Sequence, residues 1–177
     1  MGVQSEDNRG RTYGLIGKTP AIKVTGKRFR CSMISSITNE GDMRWMVYTD
    51  KFDADKFICY LKRLAYKARR KIILIADGHP VHRSKKVDAY LLANKDKIEI
   101  EILPAYCPEL NPQEYVNQDV KANACHFKVI TSLDDLLINI RYYLTKIQYN
   151  QFKVMSFFKK KEVQYAGWFY SDKLSLP

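Results

Sequence analysis

The chain has no apolar run near the roughly 20 residues that cross a bilayer, so it is read as having no membrane-spanning helix. Its first residues, MGVQSEDNRGRT, hold no apolar segment and are not read as a secretory signal. The Met1-Gly2 opening lacks the residues that would complete a myristoylation motif. Cysteine is scarce: Cys31, Cys59, Cys107 and Cys125, none in a Cys-x-x-Cys pair. Those spacings match neither a zinc module nor a disulfide framework, which leaves reduced, mostly buried thiols and a cytoplasmic location. Internal repeats and low-complexity linkers are absent too. The scarcer charge is the acidic one, 19 Asp and Glu against 30 Lys and Arg, for a net charge of +11. That balance points to a polyanionic partner, nucleic acid being the commonest; the plainer reading is a basic, soluble surface.

What is present fits one domain with a short appended piece. The 177 residues are 46% hydrophobic and include 8 Phe and 12 Tyr, enough for a sizeable core. Residues 1–28 read as loop, with seven basic and two acidic residues in 1–30. Residues 29–38 (FRCSMISSIT) and 43–49 (MRWMVYT) read as a hairpin around the turn Asn39-Glu40-Gly41-Asp42. A helix over 53–70 is capped by Asp53 and faces inward through Phe57, Ile58, Leu61, Leu64, Ala65 and Ala68. Residues 71–76 (KIILIA) suit a strand buried on both faces. Ser84 is placed to cap a helix through about Asn94, with Val87, Tyr90 and Leu91 inward, and residues 98–103 alternate as a half-exposed strand. A helix starts at Pro112. A longer one follows Ser132, with a Ser132…Asp135 capping box and a Leu136, Leu137, Ile140, Leu144, Ile147 stripe. The order is that of an α/β fold with a mixed sheet and flanking helices. We divide it into a domain over 1–150 and an aromatic, basic tail over 151–177.

Two carboxylates stand out. Asp77 follows the apolar run at the point where the chain leaves the sheet, next to Gly78, which would permit a tight turn. Asp-Gly is also an ordinary turn dipeptide. Glu114 closes Asn111-Pro112-Gln113-Glu114, where Asn caps, Pro takes the first helical position and Glu the third. A capping-box Glu114 would need no further role, and Glu109 is a rival carboxylate in the preceding loop. His79 and His82 share the Asp77 segment and suggest a metal reading, but nothing supplies a fourth zinc ligand. Local hydrogen bonding suits His82 better, and His126 has no partner in sequence.

Together the segments KVTGKR (23–28), ISSITNEGDMRWM (34–46), LIADGHPVHRSKKV (74–87) and LPAYCPELNPQEYVNQDVK (103–121) resemble the DDE-type transposases of bacterial insertion sequences, in the Tc-mariner superfamily. Asp-Gly-His-Pro-x-His followed by Pro-Glu-Leu-Asn-Pro-x-Glu, in this order, carries the resemblance, which runs from about Gly2 to Tyr165. It implies an RNase H-like fold and three carboxylates holding two divalent ions, Mg²⁺ or Mn²⁺. Asp77 matches the second carboxylate and Glu114 the third, with thirty-six residues between them (78–113).

In relatives the first aspartate lies on a strand just before the segment matching 2–14. Here only Met1 precedes Gly2, so the expectation is an N-terminally truncated domain lacking its first, central strand. Glu6 and Asp7 fall in the loop after that strand and are poor substitutes. The resemblance implies cleavage and strand transfer at insertion-sequence ends by the intact enzyme, with transposon-end and target DNA as partners. A homodimer or a full-length transposase is a further possible partner, and neither a membrane nor a small-molecule substrate is implied. It also implies a nucleoid-associated location. Lys23, Lys27, Arg28, Arg83, Lys85 and Lys86 are the candidate phosphate contacts. The alternatives are an inactive remnant that binds DNA or transposase, and an RNase H-like nuclease acting on RNA or hybrids, which the helix signature at 109–114 disfavours.

Overall fold

The computed structural model describes residues 1–5, 13–18, 26–66, 68–104, 107–126 and 128–167. The chain divides into two compact units, Met1–Asp50 with Tyr115–Phe157, and Lys51–Glu114 with Phe158–Pro177.

In the first unit, strands β1 (Gly2–Gln4), β2 (Arg30–Ile37) and β3 (Met43–Tyr48) form an antiparallel sheet in that order. The hairpin stands where the sequence put it, with Met33 opposite Val47 and Ile37 opposite Met43. Its turn needs Gly41, which has φ +95°; a Cβ there would come within 2.9 Å of the Gln151 Cβ. The reading of residues 1–28 as loop is corrected at Gly2–Gln4. This segment pairs with Ser32, Cys31 and Arg30, and the Ser5 N–H continues the contact to the Phe29 carbonyl at 2.9 Å. Pairing satisfies backbone groups that a loop would leave to water, and it places Val3 beside Cys31 on the buried face.

Helices α3 (Gln113–Asn123), α4 (Leu133–Gln148) and α5 (Gln151–Ser156) complete this core. Val116, Val120, Leu136, Ile140, Leu144, Ile147 and Val154 pack with Val3, Cys31, Met33 and Met43 in one cluster. The Ser132 hydroxyl caps α4 by accepting the Asp135 N–H at 3.0 Å. The Asp135 carboxylate in turn takes the Thr131 N–H and hydroxyl, one residue before the cap. Asp119 ties the helices together. It accepts the Tyr143 hydroxyl and the Lys153 ammonium, each at 2.7 Å. Burial, followed by the Asp119 charge, pushes the Tyr143 phenol well above its ordinary pKa.

In the second unit, α1 (Ala54–Ala65) is capped by the Asp53 carboxylate, which accepts the Lys56 N–H at 2.9 Å. It buries Phe57, Tyr60, Leu61 and Leu64. The helix ends before Ala68, which is exposed, so the expected 53–70 span is too long by one turn. Strands β4 (Ile72–Ala76) and β5 (Ile98–Ile102) pair in parallel, and α2 (Lys85–Ala93) lies between them in the chain, a βαβ crossover.

The expectation that β4 is buried on both faces is not met. Ile73 and Ile75 are 64% and 51% exposed, beside Glu99 and Glu101 of β5. The apolar run hides an alternation in which Ile72, Leu74 and Ala76 share the inner face with Ile98, Ile100 and Ile102. Ser84 caps α2 with its carbonyl, which accepts the Val87 and Asp88 N–H groups; its hydroxyl makes no cap bond.

Candidate active site

Asp77 leaves the C-terminal end of β4, where the Leu103 N–H bonds the Ala76 carbonyl at 2.8 Å and holds the strand end in register. The chain then enters a 3-10 turn over Pro80–Arg83. Asp77 Oδ1 accepts the His79 N–H at 3.1 Å and lies 3.2 Å from His82 Nδ1. The bond from His82, supported by the His79 amide against the cost of burial, lowers the Asp77 pKa to about 2. Asp77 therefore carries full charge at neutral pH, and its side chain remains 61% exposed. Gly78 is outside the left-handed region, and the nearest atom to a Cβ there would be Arg83 Nη2 at 3.9 Å. The turn after Asp77 thus does not depend on glycine, contrary to the expectation from sequence.

Glu114 sits in the first turn of α3, in the same compact unit as Asp77. Asn111 caps this helix as expected: its side-chain oxygen accepts the Gln113 N–H and its carbonyl the Glu114 N–H, each at 3.0 Å. The Asn111 N–H donates to the Pro108 carbonyl at 3.0 Å, so the donor that a capping-box Glu114 would bind is already engaged. The 3-10 turn Pro108–Leu110 that leads into the helix is braced by the Tyr165 hydroxyl, 2.7 Å from the Leu110 carbonyl. Glu109 is exposed on this turn.

The two histidines have local tasks. His79 Nδ1 accepts the Val81 N–H at 3.2 Å, and His82 Nδ1 also lies 3.0 Å from the Asp77 carbonyl. Their rings pack with Phe52 and Phe57, His82 lying 4.4 Å from Phe57. This aromatic wall was not visible in the sequence, because Phe52 and Phe57 come from before and within α1.

Of the candidate phosphate contacts, Lys27 and Arg28 are exposed in the first unit. Arg83, Lys85 and Lys86 are exposed on the turn and helix after Asp77. Lys86 pairs with Asp55 of α1 at 2.5 Å. Lys23, Glu6 and Asp7 lie outside the described residues.

An ionised, open carboxylate at a strand end and a second at a helix start are oxygen donors of the kind that hard divalent cations take, so these residues fit such an ion. Among the described residues, no group of three or more His, Cys, Asp and Glu side chains is gathered to hold a metal. No helix of the described residues is long and apolar enough to cross a membrane.

The fold is of the RNase H-like α/β kind, as in solved structures that align with it. The Mos1 mariner paired end complex with Mn aligns with a TM-score of 0.59 at 15% identity, over 90% of this chain and 51% of that one. The Mos1 strand transfer complex aligns at 0.56 and 18% identity, over 90% and 50%. A Mos1 transposase paired-end complex with left transposon end aligns at 0.53 and 17% identity, over 90% and 51%. The chain spans about half the length of these proteins. The sequence profile of the DDE superfamily endonuclease family matches residues 1–137. The chain belongs to that family, whose endonucleases use divalent metal ions. No curated protein matches it.

Proposed function

We propose that this chain is the catalytic portion of an insertion-sequence transposase, acting on transposon-end and target DNA with Mg²⁺ or Mn²⁺. The observation that carries the reading is Asp77, held ionised and open at the end of β4 in a chain of the DDE family. Glu114, in the first turn of α3 and in the same unit as Asp77, supports it. Asp77 and Glu114 would hold the ions as the second and third carboxylates of the family's set of three. When bound, a pair of divalent ions activates the attacking oxygen and stabilises the leaving oxygen in phosphoryl transfer. Asp77 supplies an oxygen that needs no deprotonation at working pH. Glu114 supplies a second from a helix whose start is fixed by Asn111. Arg83 and Lys85, close to Asp77 in the chain, offer positive charge to the DNA backbone, with Lys23, Lys27, Arg28 and Lys86 as further contacts. In this reading residues 1–150 are the catalytic domain, 151–177 its tail, and the protein works on the nucleoid as a homodimer or beside a full-length transposase.

The test is nicking of a supercoiled plasmid that carries insertion-sequence ends, with Mg²⁺ or Mn²⁺, by the wild type and by Asp77→Asn and Glu114→Gln. Metal-dependent nicking that each substitution lowers by at least about a hundredfold is expected. Nicking that persists in Asp77→Asn overturns the assignment. DNA binding without nicking identifies the chain as a non-cutting DNA- or transposase-binding protein.

A further inference from the structure

The Asp77 carboxylate is held from one side. Its Oδ1 takes the His79 N–H at 3.1 Å and faces His82 Nδ1 at 3.2 Å, which fills the two lone-pair positions of one carboxylate oxygen. The same Nδ1 lies 3.0 Å from the Asp77 main-chain oxygen. Both atoms facing Nδ1 are acceptors only, so Nδ1 carries a proton. A single N–H shared between the backbone and side-chain oxygens of one residue restrains that side chain's rotation. The imidazole is itself held: its side chain is 10% exposed and its ring packs on Phe57, which is 1% exposed. His79 is fixed in turn through the Val81 N–H. Asp77 Oδ2 has no hydrogen-bond partner among the described residues.

We infer that His82 is a positioning residue for Asp77. It engages Oδ1 and turns Oδ2 outward as the single oxygen through which Asp77 binds a divalent cation. This rests on the reading of Asp77 as a metal ligand. It explains why the motif contains a second histidine five residues after the aspartate, and why that histidine lies against the α1 aromatic side chains rather than in solvent. A partner that fixes the orientation of a metal ligand typically contributes ten- to a hundredfold in metal affinity.

The experiment is Mn²⁺ binding at fixed pH, read from the electron paramagnetic resonance signal of free Mn²⁺, on the full chain. His82→Phe keeps a ring against Phe57 and removes the donor. His82→Asn restores a side-chain N–H close to the position of Nδ1. Expected is about ten- to a hundredfold weaker binding for His82→Phe, with His82→Asn recovering to within about threefold of wild type. Wild-type affinity in His82→Phe, with binding lost in Asp77→Asn, overturns the positioning role and leaves the ligand reading standing. Wild-type affinity in Asp77→Asn overturns the ligand reading itself, and this inference with it. If His82→Phe does not fold, His82→Asn decides: affinity as low as that of Asp77→Asn overturns the inference, and near-wild-type affinity upholds it.

Discussion

The two units differ in their sheets: the strands of the first expose no large apolar side chain, and those of the second do. Leu136, Ile140, Leu144, Val116 and Val120 are fully buried in the first. The second has a two-stranded sheet with Ile73 and Ile75 in solvent, and Asp77 stands at its end. The difference teaches where each kind of failure should appear: the fully buried side chains named here lie in the first unit, and Asp77 lies in the second. Substitutions in the two units should therefore fail in different ways.

The largest expected effect is on chemistry. Asp77→Asn should abolish metal-dependent nicking while shifting the thermal midpoint little, because the side chain is exposed; circular dichroism melting beside the nicking assay checks both halves. Leu144→Ala should cost about 3 kcal/mol by removing a fully buried side chain from the first unit's core, read from urea unfolding. Asp119→Ala should cost about 2 kcal/mol, since it leaves the Tyr143 hydroxyl and the Lys153 ammonium without their shared acceptor; the same unfolding curves measure it.

Cys31 gives a pH-dependent version of the comparison. Burial, with Cys125 nearby, pushes its thiol up to about 11 from 9.0. The folded state holds that proton more tightly than the unfolded state. Its contribution is therefore complete below about pH 9 and lost as pH rises towards 11. Cys59, exposed in the second unit, should be alkylated at neutral pH while Cys31 and Cys125 resist, which mass spectrometry of labelled peptides reads directly. The smallest effect belongs to Ile73→Thr, expected to change stability by less than about 0.5 kcal/mol. A loss of 2 kcal/mol or more would show that the exposed face of β4 is covered in solution.

Much of this was legible in the sequence. Helix α4 announced itself through Ser132 and a stripe with helical spacing, and the β2–β3 turn through Gly41. Asp77 and Glu114 were singled out as candidates because two motifs follow one another at a recognisable spacing. Other features were hidden for physical reasons. A strand of three residues, Gly2–Gln4, is too short to show a period and exists through its pairing with β2. The alternation of β4 was masked because its exposed positions are isoleucines. The Asp119 contacts join residues 24 and 34 positions apart, which no local pattern encodes. The role of His82 depends on distances of a few ångströms around Asp77, and spacing alone could not distinguish a ligand from a partner of a ligand.

Asp119 has a consequence for motion. Helix α5 is only six residues long, below the length at which a helix holds itself together in water. Left alone, it would open often. Through Lys153 it shares an acceptor with Tyr143 of α4, and Val154 is wholly buried in the core. The amide protons of α5 should therefore exchange with solvent at rates close to those of α4, as part of one opening unit. This helix, the first segment of the tail, would then serve as a latch, and its release would loosen the first unit's core rather than merely the chain's end.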